Sequence, residues 1–323
     1  MKRRILKVTG IILLAIFLGI AGVLAFVKTM LPNVGAAPDI HFSSKPELVK
    51  RGEYLANHVM VCVDCHSTRD FSKFSGPIVP GTEGGGGEVF DQEKGFPGKF
   101  YAKNITPYGL GNWTDGEIFR AITTGVSRNG IALFPIMPYQ HYGQMDNEDA
   151  YAIIAYIRTL PAIKKDIPVS EPDFPMNFII NTIPAKGAPR HRPDKSQLQQ
   201  YGEYITLVAD CETCHTRQEK GSPVGAPFAG NFEFNMPFGT LRSPNITPDM
   251  ETGIGSWDEQ TFIHKFRSYA MDSLAQVKPG AFNTPMPWSM YGGMDTTDLK
   301  AIYAYLRTLQ PVKSKVVRFT PRQ

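Results

Sequence analysis

The stretch VCVDCHS, residues 61–67, contains a Cys-x-x-Cys-His, and ADCETCHT, residues 209–216, contains it again. The leading cysteines lie 149 residues apart (211 − 62), and the two motifs use all four cysteines of the 323-residue chain. The sequence around them repeats as well. RGEYLANHVMVC (51–62) answers YGEYITLVADC (201–211) with one residue of slip, and KNITPYGLGNW (103–113) answers PNITPDMETGIGSW (244–257). FPIMPYQHYGQMD (134–146) answers NTPMPWSMYGGMD (283–295), and AYAIIAYIRTL (150–160) answers LKAIYAYLRTL (299–309), both again at an offset of 149 (283 − 134 and 299 − 150). Such self-similarity is the mark of a duplicated unit.

Each half has the same order of elements. A helix leads into the cysteines, over 46–59 and 197–208, and a long loop rich in Gly and Pro follows, with a glycine cluster at 84–87. A further helix starts near each tryptophan, where Thr114/Glu117 and Ser256/Glu259 have the spacing of a capping box. The last helix opens at Asp146 or Asp295 and shows helical recurrence at Ala152, Ala155, Tyr156 and at Ala301, Ala304, Tyr305. No strand alternation stands out, so the expected fold is all-α with long loops. Residues 161–194 hold seven prolines and read as a stiff linker whose apolar middle, FPMNFIINTIP, lies on a domain surface. The expected division is a membrane anchor over 1–35, domains over 36–160 and 195–323, and this linker between them.

Three chemistries use paired cysteines in this way. A structural zinc site joins two Cys-x-x-Cys knuckles, typically about 15–20 residues apart, whereas 146 residues (211 − 65) separate these, one in each half. A redox dithiol belongs in a βαβ setting, which is missing from the pattern. Covalent haem c needs two thiols for the porphyrin vinyl groups and a histidine immediately after them to ligate iron. Three bonds to one rigid disc from a single turn require this spacing. Cys62, Cys65, Cys211 and Cys214 are the expected attachment sites of two haems c, with His66 and His215 as iron ligands.

The second axial ligand decides between passing electrons and binding a substrate. Two methionine pairs match at the offset of 149, Met137/Met286 and Met145/Met294. Met137 and Met286 each stand 71 residues beyond the haem histidine (137 − 66 and 286 − 215) and precede a proline. The proline biases them to an extended backbone that can aim a thioether at the haem face. They are the expected ligands. Met145 and Met294 precede the first residue of the last helix, where an apolar side chain packs as a staple. His141 is replaced by Met290 in the second half, and His41, His58, His191 and His264 have no counterpart histidine. Trp113, Trp257, Asn104 and Asn245 lie in the loop expected to wrap the haem edge. They either donate to a propionate or serve as core and turn residues.

The N-terminus is basic, with Lys2, Arg3, Arg4 and Lys7, and residues 8–27 form a 20-residue run without charge (27 − 8 + 1). As a helix it spans roughly 30 Å, the hydrocarbon thickness of a bilayer. The expected topology leaves the cations in the cytoplasm and exports everything after Lys28, as an uncleaved single-pass anchor. The rival is a signal peptide cleaved after residues 34–36, although signal cores run only about 7–15 residues. The net charge of +4 equals those four N-terminal cations, so the exported part is neutral and gives no footprint for nucleic acid.

These features resemble class I cytochrome c, in which the haem motif ends the first helix, the methionine comes late and a terminal aromatic helix crosses the first near a glycine, here Gly52 and Gly202. More narrowly, NITP, the Gly-Ile-Gly and tryptophan, MPY or MPW, and AYLRTL resemble the cytochrome subunits of periplasmic alcohol and gluconate dehydrogenases, over about 45–312. Those subunits usually carry three haems and a C-terminal tether, whereas this chain has two motifs and an N-terminal apolar run. The resemblance implies tandem class I cytochrome c domains that carry electrons without catalysing a reaction. Their partners would be a dehydrogenase subunit, a quinol-oxidising complex, an oxidase or a soluble cytochrome. A dihaem peroxidase is the enzymatic alternative, and it would need one haem with an open coordination site.

Overall fold

The computed structural model of the protein describes residues 2–269 and 275–322. Helix α1 (Lys2–Met30) has no buried residue and is long and apolar enough to cross a membrane. The first half then runs through α2 (Pro46–Tyr54), a π-helical turn (Leu55–Val59), α3 (Cys62–Cys65), α4 (Pro107–Leu110), α5 (Asp115–Thr124), α6 (Tyr139–Tyr142) and α7 (Asn147–Ile157). After the short α8 (Met176–Ile179), the second half repeats the order with α9 (Leu198–Val208), α10 (Cys211–Cys214), α11 (Glu259–Arg267), α12 (Trp288–Tyr291) and α13 (Thr296–Leu306).

The helices carry the main core, and the loops add some sheet beyond the helices expected from the sequence. Three small antiparallel sheets lie in the loops: β1 (Val89–Phe90), β2 (Gly98–Tyr101) and β3 (Glu171–Pro172) in the first, β4 (Gln218–Glu219) and β5 (Ser222–Pro223) in the second, and β6 (Glu233–Met236), β7 (Gly239–Arg242) and β8 (Phe319–Pro321) in the third. None exceeds four residues, too short for alternation to stand out in the sequence. Gly98 pairs with Pro172 and Gly239 with Pro321, and 321 − 172 is again 149. The duplication therefore continues past each last helix, into residues that read as linker in the first half and as tail in the second.

The main contact within each half is the crossing of its first helix over its last, α2 on α7 and α9 on α13. A glycine sits at each crossing because nothing larger fits. A Cβ on Gly52 would lie 1.8 Å from the Ala152 carbonyl oxygen, and one on Gly202 1.9 Å from that of Ala301. The single residue of slip between the halves is absorbed as the π-helical turn, in which the Met60 N–H donates to the Leu55 carbonyl. One inserted residue widens one turn and leaves the rest of the helix in place. The helices near the tryptophans start at Thr114, a full capping box with Glu117, and at Asp258, which accepts from the Thr261 N–H at 2.7 Å. Ser256 is thus not the cap. The structure aligns Asp258 with Thr114, since each directly follows its tryptophan.

One hydrophobic cluster runs through both halves, and its polar edge interlocks them reciprocally. The Tyr54 hydroxyl donates to Asp298 at 2.8 Å and accepts from the Asp295 N–H, while the Tyr204 hydroxyl donates to Asp149 at 2.7 Å and accepts from the Asp146 N–H. Both Asp149 and Asp298 are buried, and each carries a second donor from its own half, Arg51 and Tyr201 respectively. The 161–194 segment supplies a third, Arg192 to Asp149 and Lys195, just beyond it, to Asp298. A buried carboxylate is stable only when such donors surround it.

Candidate haem-binding sites

Both Cys-x-x-Cys-His motifs fold the same way. The residue before the first cysteine is left-handed in each, Val61 at φ 47° and Asp210 at φ 55°, a conformation a β-branched valine seldom adopts. The cysteines then occupy one helical turn, closed by the His66 N–H on Cys62 O and the His215 N–H on Cys211 O. Each imidazole is oriented by a backbone carbonyl: Nδ1 of His66 lies 2.6 Å from Lys103 O, and Nδ1 of His215 lies 2.9 Å from Pro244 O. A carbonyl only accepts, so Nδ1 carries the proton and Nε2 keeps its lone pair for a metal. Burial holds both imidazoles below their ordinary pKa, His215 down to about 4, despite the opposing carbonyl bond. They are neutral, the form that ligates iron.

A glycine backs each histidine. Gly86 N donates to His66 O at 2.8 Å and Gly230 N to His215 O at 2.7 Å. Both are left-handed, and a Cβ on either would come within 2.6 Å of the backbone segment supplying the imidazole's carbonyl partner. Sequence reading did not single out Gly86, Gly230, Lys103 or Pro244. The glycine cluster at 84–87 was the visible signal in the first half, but carbonyl partners leave no trace in residue type.

The thiols are half-buried, and desolvation pushes Cys62, Cys65 and Cys211 up to about 12 and Cys214 higher still. A redox dithiol needs the opposite shift, so these four are not poised as reactive thiolates. Among the described residues, no cluster of three or more His, Cys, Asp or Glu could hold a metal ion, which leaves a zinc knuckle without support. Thiols beside an imidazole with a free Nε2, in a half-buried apolar setting, fit covalent haem c.

The two methionine pairs separate by burial. Met145 and Met294 are each 1% exposed and belong to the core. Met137 and Met286 are partly buried at its edge, as are Cys62, Cys211, Trp113 and Trp257. The two Met-Pro loops are held differently. The Met286 carbonyl accepts from the Ser75 hydroxyl at 2.5 Å, the same hydroxyl accepts from the Trp288 N–H, and the Asn283 amide donates to the carbonyls of Phe71 and Lys73. The first half thus grips the loop of the second, and sequence reading missed Ser75.

The asparagines are turn residues. Asn104 Oδ1 accepts from the N–H and hydroxyl of Thr106, and its amide donates to Ile163 O and Lys165 O. Asn245 does the same with Thr247 and Val312 O, and its amide also donates to the Thr252 hydroxyl. Both amides are committed to the chain that follows each last helix, which rules out the propionate reading for them. Histidines 58 and 141 lie at the interface, His58 Nδ1 on Met290 O at 2.8 Å and His141 on Asp210, whereas His41 and His191 are exposed and pair with Asp39 and Asp146.

Residues 200–310 match the family described as Cytochrome c. The chain carries a cytochrome c domain. It is homologous over most of its length to cytochrome subunits of dehydrogenases. It is 28% identical over 300 residues to the cytochrome c subunit of a quinone alcohol dehydrogenase from Gluconacetobacter polyoxogenes, covering 84% of this chain and 58% of that subunit. It is 28% identical over 285 residues to the fructose dehydrogenase cytochrome subunit of Gluconobacter japonicus, covering 83% and 53%. It is 26% identical over 316 residues to the gluconate 2-dehydrogenase cytochrome c subunit of Pantoea cypripedii, covering 92% and 67%. The chain therefore spans between half and two thirds of the length of these relatives.

Proposed function

We propose that this protein is a dihaem cytochrome c that carries electrons on the outer face of the cytoplasmic membrane, built as tandem class I cytochrome c domains behind an N-terminal anchor. One observation carries the proposal: the same left-handed entry, cysteine turn and carbonyl-fixed histidine occur in both halves. Cys62, Cys65, Cys211 and Cys214 hold two haems; His66 with Met137 and His215 with Met286 ligate the irons. Bound haem supplies a one-electron Fe(III)/Fe(II) couple. The residues around it hold the imidazole tautomer, exclude water and fill both axial positions, so that the site takes no substrate. The first domain extends beyond 36–160 to include 161–172, in keeping with the continued repeat. Trp113 and Trp257 remain candidates for the propionates, since among the described residues neither indole N–H has a protein acceptor.

Elements adjoining the two proposed sites pack across the interface. Helix α6, just after Met137, packs on α9, and α12, just after Met286, packs on the π-helical turn. After burial, the charges that raise the Cys214 thiol are Asp210, Cys211 and Cys65 of the other half. This closeness supports electron passage from one haem to the other within the chain. The relatives' names suggest the donor, an alcohol, fructose or gluconate dehydrogenase, with a quinol-oxidising complex, oxidase or soluble cytochrome as the other partner.

A pyridine haemochrome assay on the acid–acetone-washed protein should count two haems that stay with the polypeptide. Extractable haem, or a count of one, would contradict the proposal.

A further inference from the structure

The segment joining the halves holds aromatic residues that the haem sites do not use. Phe174 is 79% exposed and Ile179 44% exposed, although the same segment buries Ile180 against Phe100 in a second small core with Phe90, Phe96, Phe134 and Met176. This apolar pair is not a loose tip. Residues just before it form β3 on β2, the Asp173 N–H donates to Pro97 O, and the Asp173 carboxylate accepts from Gln92 on the protein side. The segment is thus fastened to the first half and turns two large apolar side chains outward.

What lies beside them identifies the occupant. Helix α1 contacts α8 and the turn that follows it, and Lys28, on its last turn, sits over the Phe178 ring at 5.1 Å. Phe178 meets Phe174 edge-on at 6.4 Å. A continuous path, Lys28 to Phe178 to Phe174, thus runs from the end of the apolar helix to the exposed patch. When α1 spans a bilayer, its last turn lies at the lipid–water boundary, where aromatic side chains and lysines concentrate. A patch in contact with that turn lies at the same depth.

We propose that Phe174, Phe178 and Ile179 form a second membrane contact, inserted in the interfacial layer of the outer leaflet beside the exit of α1. Interfacial elements bury their apolar face by about 5–10 Å. Because the patch belongs to the first half, it lays that half against the membrane and leaves the second half free toward the aqueous side. The anchor would then fix the orientation of both haems instead of acting as a flexible tether. This inference rests on the reading of α1 as a spanning anchor.

The test uses the holoprotein in phosphatidylethanolamine/phosphatidylglycerol proteoliposomes. The native cysteines are committed to haem, so Phe174→Cys gives a single thiol for a nitroxide label. Leu18→Cys in α1 and Val317→Cys, exposed on the second half, serve as references. Accessibility to oxygen and to an aqueous nickel chelate is read by power saturation. The inference predicts that the label at 174 is shielded from nickel and open to oxygen, between the Leu18 and Val317 values and nearer the former. If Leu18 reads as lipid and 174 matches the aqueous value of 317, the second contact is wrong while the anchor stands. If Leu18 also reads as aqueous, both fail together.

Discussion

The two halves share a backbone plan but differ in how each is held. At the tyrosine interlock the dependence is mutual, Tyr54 on Asp298 and Tyr204 on Asp149. At the methionine loops it runs one way among the described residues, for Ser75 and the carbonyls of Phe71 and Lys73 grip the Met286 loop. The buried aspartates differ too: two guanidinium groups, from Arg51 and Arg192, face Asp149, whereas one ammonium, from Lys195, and the Tyr201 hydroxyl face Asp298. The parts in direct contact with each proposed haem have stayed alike, while the supporting polar contacts have diverged. Mutations in matching pairs should show which features are truly equivalent.

The largest effect should come from the helix crossings. Gly52→Ala and Gly202→Ala each force a methyl into a carbonyl oxygen and should cost about 3 kcal/mol or more, alike in both halves. Thermal or denaturant unfolding of the holoprotein measures this, and a tolerated change in one half only would break the equivalence. The aspartates come next. Asp149→Ala strands two cations and should cost about 3–4 kcal/mol, more than Asp298→Ala, in which the half-exposed Lys195 can turn to water. Equal losses would show that the local charges do not distinguish the halves. Ser75→Ala should cost about 1–2 kcal/mol by leaving the Met286 carbonyl and the Trp288 N–H unpaired. Its specific signature is loss of sulfur ligation at one haem at lower denaturant concentration, with the Met137 haem unchanged. The caps are smallest: Thr114→Ala and Asp258→Ala should each cost about 1 kcal/mol by unfolding midpoint.

Much of this was legible in the sequence because it rests on residue type and spacing. Cys-x-x-Cys-His, the Met-Pro pair and the last helices all repeat at an offset of 149, and the crossing glycines, across the one-residue slip, at 150 (202 − 52). The apolar middle of the 161–194 segment was rightly placed on a surface, where Ile180 is buried and its neighbours are not. What escaped depends on backbone contacts. The strands are too short to alternate, and Lys103 and Pro244 act through carbonyls that any residue has. Ser256 matched a capping pattern that Asp258 satisfies instead. The asparagines of the NITP motifs looked free to meet a propionate until their amides were seen to tie down Ile163 and Val312, the same position in each half (312 − 163 = 149).

The central claim is two equivalent irons, each ligated by a histidine and the methionine 71 residues later (137 − 66 and 286 − 215). The near-infrared sulfur-to-iron charge-transfer band of the oxidised holoprotein tests it most directly, measured in the wild type, Met137→Ala and Met286→Ala. The account predicts that each substitution removes about half of the band and lowers the potential of one haem, since a thioether favours Fe(II). A band that survives Met137→Ala undiminished, or a wild type in which only one iron has a sulfur ligand while the other reacts with peroxide, would contradict it.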